Sequence, residues 1–446
     1  MDKNLLRNFS KYVSLNILGM IGLSCYILAD TYFVSKALGT TGIAALNFSI
    51  PIYSVIHGIG LMIGIGGASR FSILKSQAKD KQSDEVFSTA VKAGVLIGIL
   101  FVVIGAVGTK YIAIAMGADS VTLPLTKTYL ATILSFTPFF ILNNVILAFV
   151  RNDNNPNLSM IAMLVGSFSN IILDYIFMFP FNMGMFGAAF ATGLAPVISI
   201  CILSLHFIRK KDAFKFLKNK LQWKRIPDLF NLGLSSFIIE ISSAVVLITF
   251  NLVILKIEGN IGVAAYGIVA NLALVGIAVF TGLAQGIQPL TSKYYGLGQY
   301  DMVTKVRKYA LMTSIIIATS IYLCVILYSD SIIGIFNSEN NTDITAIAAK
   351  GFKIYFAGFF FVGVNIVTAM FLSATENAKK AFMITISRGL VIIVPMVIVL
   401  SKVLDMTGVW LAFVITELIV TILAVYFIKE KINPSEYYQA ASHLDV

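Results

Sequence analysis

Nothing constrains this chain more than its succession of apolar blocks, each about 20 residues or longer. That is the length a helix needs to cross ~30 Å of hydrocarbon. Lipid offers the backbone no water to bond, so each crossing must satisfy its own N–H and C=O groups, as a helix does. Breakers such as Pro124, Pro156, Pro180, Pro227 and Gly259 separate the blocks. The expected spans are 11–35, 43–70, 86–108, 124–150, 157–179, 184–208, 228–256, 262–292, 303–328, 346–373, 378–401 and 406–428. The chain therefore reads as an all-α membrane protein with 12 transmembrane helices. Only 12% of its 446 residues are charged and 58% are hydrophobic, whereas a soluble domain carries about 25% charged residues.

The net charge of +11 does not point to nucleic acid, because the basic residues sit in the gaps between apolar blocks. Lys36, Lys110, Lys127, Lys256, Lys350, Lys353 and Lys402 fall on one side, Arg388 lies deep in a span, and the remaining Lys and Arg fall on the side that carries the N-terminus. Both termini are thus expected in the cytoplasm, in a plasma-membrane protein. No removable signal peptide is read in MDKNLLRNFSKY. Cys25, Cys201 and Cys324 lie in apolar runs, read as small buried hydrophobes, and have neither disulfide nor metal spacing. No P-loop, nucleophile triad, metal cluster or haem motif appears, so an enzyme or an ATP-driven pump is not expected and no cofactor is implied.

The basic loop 209–227 divides the spans six and six, giving expected units at 1–208 and 228–446. GIAAL at 42–46 and GIGG at 64–67 are echoed, at one constant offset, by GVAAY at 262–266 and AQGI at 284–287. GAAFAT from Gly187 is echoed by GVWLAF from Gly408, a single position off that register. Several echoes in register indicate a duplicated unit. Six spans is an even number, so the copies insert the same way up, as in transporters whose halves rock about a central cavity.

A carboxylate inside a span costs at least ~2.5 kcal/mol to insert, so a chain that keeps one usually uses it. Asp30 lies in the first span, with Tyr26 one turn deeper on its face. Asp174 lies in the fifth with Asn170 one turn deeper, and Thr192 lies in the sixth. At about 1.5 Å per residue all five share one slab ~9–15 Å from the outer surface. Their hard oxygens suit Na⁺ or a proton, and two adjacent acids disfavour joint ionisation. The second half lacks this set: Phe250 stands opposite Asp30 and Pro395 opposite Asp174. It holds Glu240, a possible proton or substrate site, and Arg388 and Glu417, expected to pair structurally because either charge alone would be costly. His57, a lone mid-span imidazole, reads as a packing residue. Met20, Met62, Met160, Met163, Phe139, Phe140 and Phe359 to Phe361 read as packing or lipid-facing, with a cavity lining as the alternative.

ADTYFVSKALGTTGIAALNFSIP, NIILDYIFMF followed by GMFGAAFAT, and GIQPLTSKYYGLG resemble the multidrug and toxic compound extrusion (MATE) family, in its DinF/MepA-like bacterial branch. The resemblance covers nearly the whole chain. It implies a V-shaped pair of pseudo-symmetric six-helix bundles, MATE/MOP-type. It implies export of organic compounds, cations foremost, in exchange for H⁺ or Na⁺. It also implies a coupling site on Asp30, Asn170, Asp174 and Thr192, with Tyr26 beside it and Na⁺ as a possible occupant. The first helix has no proline, so Gly19 and Gly22 are its candidate hinges. The expected partners are small organic substrates and the bilayer, with no nucleic acid, for a monomer. A lipid-linked saccharide or cell-wall precursor flippase is the nearest alternative. A membrane receptor or channel that does not pump is the alternative from another class.

Overall fold

A computed structural model describes residues 3–208, 214–218, 221–336 and 341–429. The basic loop 209–227 lies partly outside them. The described residues are helical throughout the apolar blocks and contain no strand. Twelve membrane-length segments can be followed among them. Lys3–Ser76 is helical on both sides of a single break over its 74 residues, which would measure ~110 Å if straight. Instead it folds back at Gly39 (φ 61°, ψ −152°), a backbone region that glycine alone enters cheaply. The Tyr26 and Tyr53 hydroxyls meet across the fold at 2.9 Å. This hairpin gives α1 (3–38) and α2 (40–76). Then come α3 (Asp80–Ala115), α4 (Leu123–Ser135 and Thr137–Asn152, bent by 49°), α5 (Pro156–Met178) and α6 (Gly184–Ile208).

The second half repeats the scheme. Ile226–Gly296 turns back at Gly259 (φ 63°, ψ −152°) into α7 (226–258) and α8 (260–296). There follow α9 (Tyr300–Leu327) and α10 (Thr342–Ala374). Ala378–Lys429 turns back at Asp405 into α11 (378–404) and α12 (406–429). The left-handed residues recur in register between the halves. Gly39 answers to Gly259, and Ala78 to Gly298 (φ 57° and 69°), at the same offset as the sequence echoes. Gly184 answers to Asp405 (φ 54° and 47°), one position further on. The backbone thus carries the duplication even where side chains have diverged.

Each half has its own core, which reaches the end away from the termini. Val34, Ala45, Ile133, Met178 and Ala188 pack together in the first half, and Phe250, Tyr266, Phe352, Trp410 and Phe413 in the second. Phe359 belongs to that second core, stacked on Phe356 with ring centroids 4.6 Å apart, and so does not line a cavity. Toward the termini the halves merge. The first turns of α1 (Leu5, Phe9, Tyr12, Val13) pack on Leu283, Ile287 and Leu290 of α8. Glycines permit the crossings: a Cβ on Gly66 would overlap the Leu229 carbonyl, and one on Gly233 the Met62 carbonyl. Gly19 and Gly22 serve the same purpose against Met163 and Leu164 of α5, and α1 keeps helical dihedrals at both.

Polar groups lock the merged end. Arg151 donates to Asn16 Oδ1 and to Gln285 Oε1, both at 2.7 Å. Asn152 donates to Gln288 Oε1 at 2.8 Å, and Gln288 donates to Ser69 Oγ at 2.9 Å. Arg70 pairs with Glu376 at 2.5 Å. The expected span limits leave Arg151 in a loop; α4 instead continues to Asn152, and the side chain turns inward. The three cysteines are exposed on the apolar surface, a correction to the buried reading. An apolar run alone does not say which helix face meets lipid.

Two stability outcomes follow. Gly66→Ala or Gly233→Ala pushes α2 off α7 and costs ~1–3 kcal/mol, read as a lowered melting midpoint in detergent. Gly267→Ala, where a Cβ meets nothing within 4 Å, leaves the midpoint unchanged. Asp405→Gly relieves the strained reversal and raises the midpoint by the equivalent of ~1 kcal/mol.

Candidate cation site

The site is built where α1, α4, α5 and α6 meet in the first half. α5 starts with Pro156 in its first turn and the Asn155 side chain accepting from the Leu158 N–H. From that start, helical spacing carries Ser167, Asn170 and Asp174 into the bundle, all buried. At the opposite end Asp119 accepts from the Thr122 N–H and its hydroxyl at the head of α4, which holds its carboxyl below the usual carboxylate range. α4 then brings in Tyr129, whose hydroxyl lies within electrostatic reach of Asp30 and Asp174.

Asp30, Asn170, Asp174, Thr192 and Tyr26 are all buried. The two carboxylates lie within electrostatic reach of each other. Thr192 donates to the Ala188 carbonyl at 3.0 Å, which leaves its lone pairs facing Asn170. The amide of Asn170 has two orientations. In one, its nitrogen faces Thr192 Oγ1 at 3.4 Å. In the other, it donates to Asp174 Oδ2 at 3.1 Å and accepts from the Thr192 N–H at 3.2 Å, which satisfies both ends. Asp30 Oδ1 and Asp174 Oδ1 have no hydrogen-bond partner. Among the described residues neither acid forms an ion pair. A buried carboxylate oxygen left without a hydrogen bond costs ~1–3 kcal/mol or more, and its chemistry suits a proton or a hard cation.

Tyr53 and Tyr129 belong to this cluster and escape the sequence reading. A signal for Tyr53 is present: Tyr26 and Tyr53 lie almost equally far from Gly39 on its two sides, so a hairpin at Gly39 sets them level. Glu240 lies elsewhere, on α7 at the seam between the halves. Its Oε2 is 3.5 Å from His57 Nδ1 of α2. Arg388 sits in a π-helical turn of α11 and donates to Glu417 Oε1 through Nε (3.0 Å) and a terminal nitrogen (2.8 Å). Asn365 donates to the other Glu417 oxygen at 2.7 Å. Arg388 and Glu417 therefore satisfy each other deep in the second half, away from the two aspartates.

Known proteins share this architecture. The multidrug export protein MepA of Staphylococcus saprophyticus is 27% identical over 413 residues, which cover 92% of this chain and 90% of the relative. Its namesake in Staphylococcus aureus is 25% identical over the same length and shares. A solved multidrug resistance MATE family transporter of the MOP superfamily, in its outward-facing conformation, superposes with a TM-score of 0.89 at 23% identity. That match covers 96% of this chain and 97% of the solved one. A family model described as MatE matches residues 16–176 and 236–399. These two matches take in most of both halves, and the chain belongs to the MatE family, the multidrug and toxic compound extrusion transporters.

Proposed function

We propose that this protein is a secondary active exporter that expels organic, chiefly cationic, compounds in exchange for H⁺ or Na⁺. The observation that carries the reading is the pair of buried, unpaired carboxylate oxygens on Asp30 and Asp174. One proton or one Na⁺ would complete them. With Na⁺, Asn170 turns its oxygen toward Asp174, and Thr192 supplies a further oxygen. With H⁺, the amide nitrogen keeps its hydrogen bond to Asp174. Either ion removes the repulsion between α1 and α5 and lets them draw together. The ion drives export only by binding one state of the transporter more tightly than the other. The relatives named as multidrug export proteins support the substrate class.

The protein works in the plasma membrane as a monomer of two units, 1–208 and 228–446, joined by the basic segment 209–227. The Lys and Arg asymmetry puts both termini in the cytoplasm. The locked end is then the cytoplasmic one, and the halves part toward the outside. A flippase for pyrophosphate-linked saccharides would need cationic groups free in the cleft. Arg151 and Arg388 are instead each engaged by side-chain oxygens. A channel is disfavoured by the closed cytoplasmic seam.

Proteoliposome efflux of a cationic dye tests the reading. Asp30→Asn and Asp174→Asn each reduce gradient-driven export to background while the protein still inserts and melts as a folded species. Full transport by both variants would sink it. An imposed pH gradient and an imposed Na⁺ gradient, applied separately, identify the ion; the account requires that at least one drives efflux in wild type.

A further inference from the structure

His57 is a mid-membrane imidazole that the coupling site does not use. It sits on α2 at the level where the halves first meet. Next to it Gly58 has no side chain: a Cβ there would lie 3.0 Å from the Phe237 ring and 3.3 Å from the Glu240 Cβ. That gap lets α7 come close enough for Glu240 Oε2 to stand 3.5 Å from His57 Nδ1. On the other side Tyr53 stacks on the imidazole, ring centroids 5.9 Å apart and planes 10° from parallel. Phe140 meets Tyr53 edge-on at 5.5 Å. The pair is not sealed, because the Glu240 side chain is 31% exposed and that of His57 15%.

The surroundings are a carboxylate beside aromatic faces, the combination that binds organic cations. They also suit an imidazolium, which gains from Glu240 by charge and from Tyr53 by cation–π attraction. Two cations, one internal and one from solution, would therefore use the same two groups. The titratable groups facing the pair are Tyr53 on α2 and, through it, Tyr26 and Asp30 on α1 and Tyr129 on α4. Arg388 on α11 borders α7 where Gly389 meets Ser242, but its guanidinium is engaged by Glu417.

We propose that Glu240, with the aromatic face of Tyr53 beside it, is a binding site for organic cations, and that protonated His57 is a built-in competitor that displaces them. This rests on the exporter reading for taking the cleft as the substrate path. Protonation of His57 from the outside places its charge on Glu240 and releases the bound cation. Deprotonation on exposure to the less acidic interior frees Glu240 for the next. The step moves one proton onto the imidazole and breaks no covalent bond.

The test is equilibrium binding of tetraphenylphosphonium, whose charge does not vary with pH, to the purified protein in nanodiscs between about pH 5 and 8, the range in which an imidazole changes charge. No gradient is present, so the result does not depend on transport. Wild type binds about tenfold more weakly at the acid end, as proton competition requires. His57→Gln binds tightly at both ends and His57→Arg weakly at both. Glu240→Gln binds weakly throughout. Melting curves confirm that each variant is folded, and the opposite effects of Gln and Arg separate a charge effect from misfolding. A wild-type slope in His57→Gln, or undiminished binding by Glu240→Gln, overturns the proposal. A slope lost in Asp30→Asn and kept in His57→Gln assigns the pH dependence to the coupling site, which overturns the competitor while leaving the exporter reading intact.

Discussion

Two carboxylates held in an apolar bundle with one oxygen each left bare are the constraint from which the rest follows. Taking such a group out of water without a partner is among the costliest things a fold can do. This chain does it twice in one half, and among the described residues no lysine or arginine pairs with either acid. In the second half the same problem is solved internally, by Arg388 and Asn365 around Glu417. The contrast matters because the halves are copies in backbone. One copy neutralises its buried acid with its own residues, and the other leaves an oxygen of each of its two acids without a hydrogen-bond partner.

Such a site can do work only if the bundle has two arrangements to choose between. The seam near the termini is where the halves are joined. Glycine crossings at Gly66 and Gly233 bring backbones into contact, and Arg151, Asn152, Gln285 and Gln288 bond across the same plane. These amide and guanidinium bonds are individually modest, about 0.5–3 kcal/mol each. A set of them holds one state without making it irreversible. α1 links the two regions: its first turns pack into the second half, while Asp30, further along, belongs to the first. A change at Asp30 is thereby applied along a helix anchored in the opposite bundle. Tyr26, Tyr53 and His57 continue that connection to Glu240 through one hydrogen bond, one ring stack and one imidazole–carboxylate contact.

Much of the architecture is legible in the sequence because membrane insertion leaves few choices. Run length marks the spans, and breakers mark their ends to within several residues. The shared offset of the sequence echoes reveals the duplication. Depth counting is enough to set Asp30, Tyr26, Asn170, Asp174 and Thr192 at one level, since helical rise is nearly fixed. What counting misses is azimuth. It does not say which side of a helix faces lipid, so it puts the cysteines on the wrong face. It does not say which helices are neighbours, so it leaves Tyr129 out of the acid cluster. His57 and Glu240 are remote in sequence and belong to different copies. Only the docking of α2 on α7, which turns on a missing side chain at Gly58, brings them together.

The central claim is that Asp30 and Asp174 jointly hold one monovalent cation. The most direct measurement is the stoichiometry of proton and Na⁺ binding to purified protein by potentiometric titration, comparing wild type with the Asp30→Asn, Asp174→Asn double variant. The account predicts that the double variant loses one bound cation per chain and that in wild type H⁺ and Na⁺, if both bind, exclude each other. An unchanged stoichiometry in the folded double variant would contradict it.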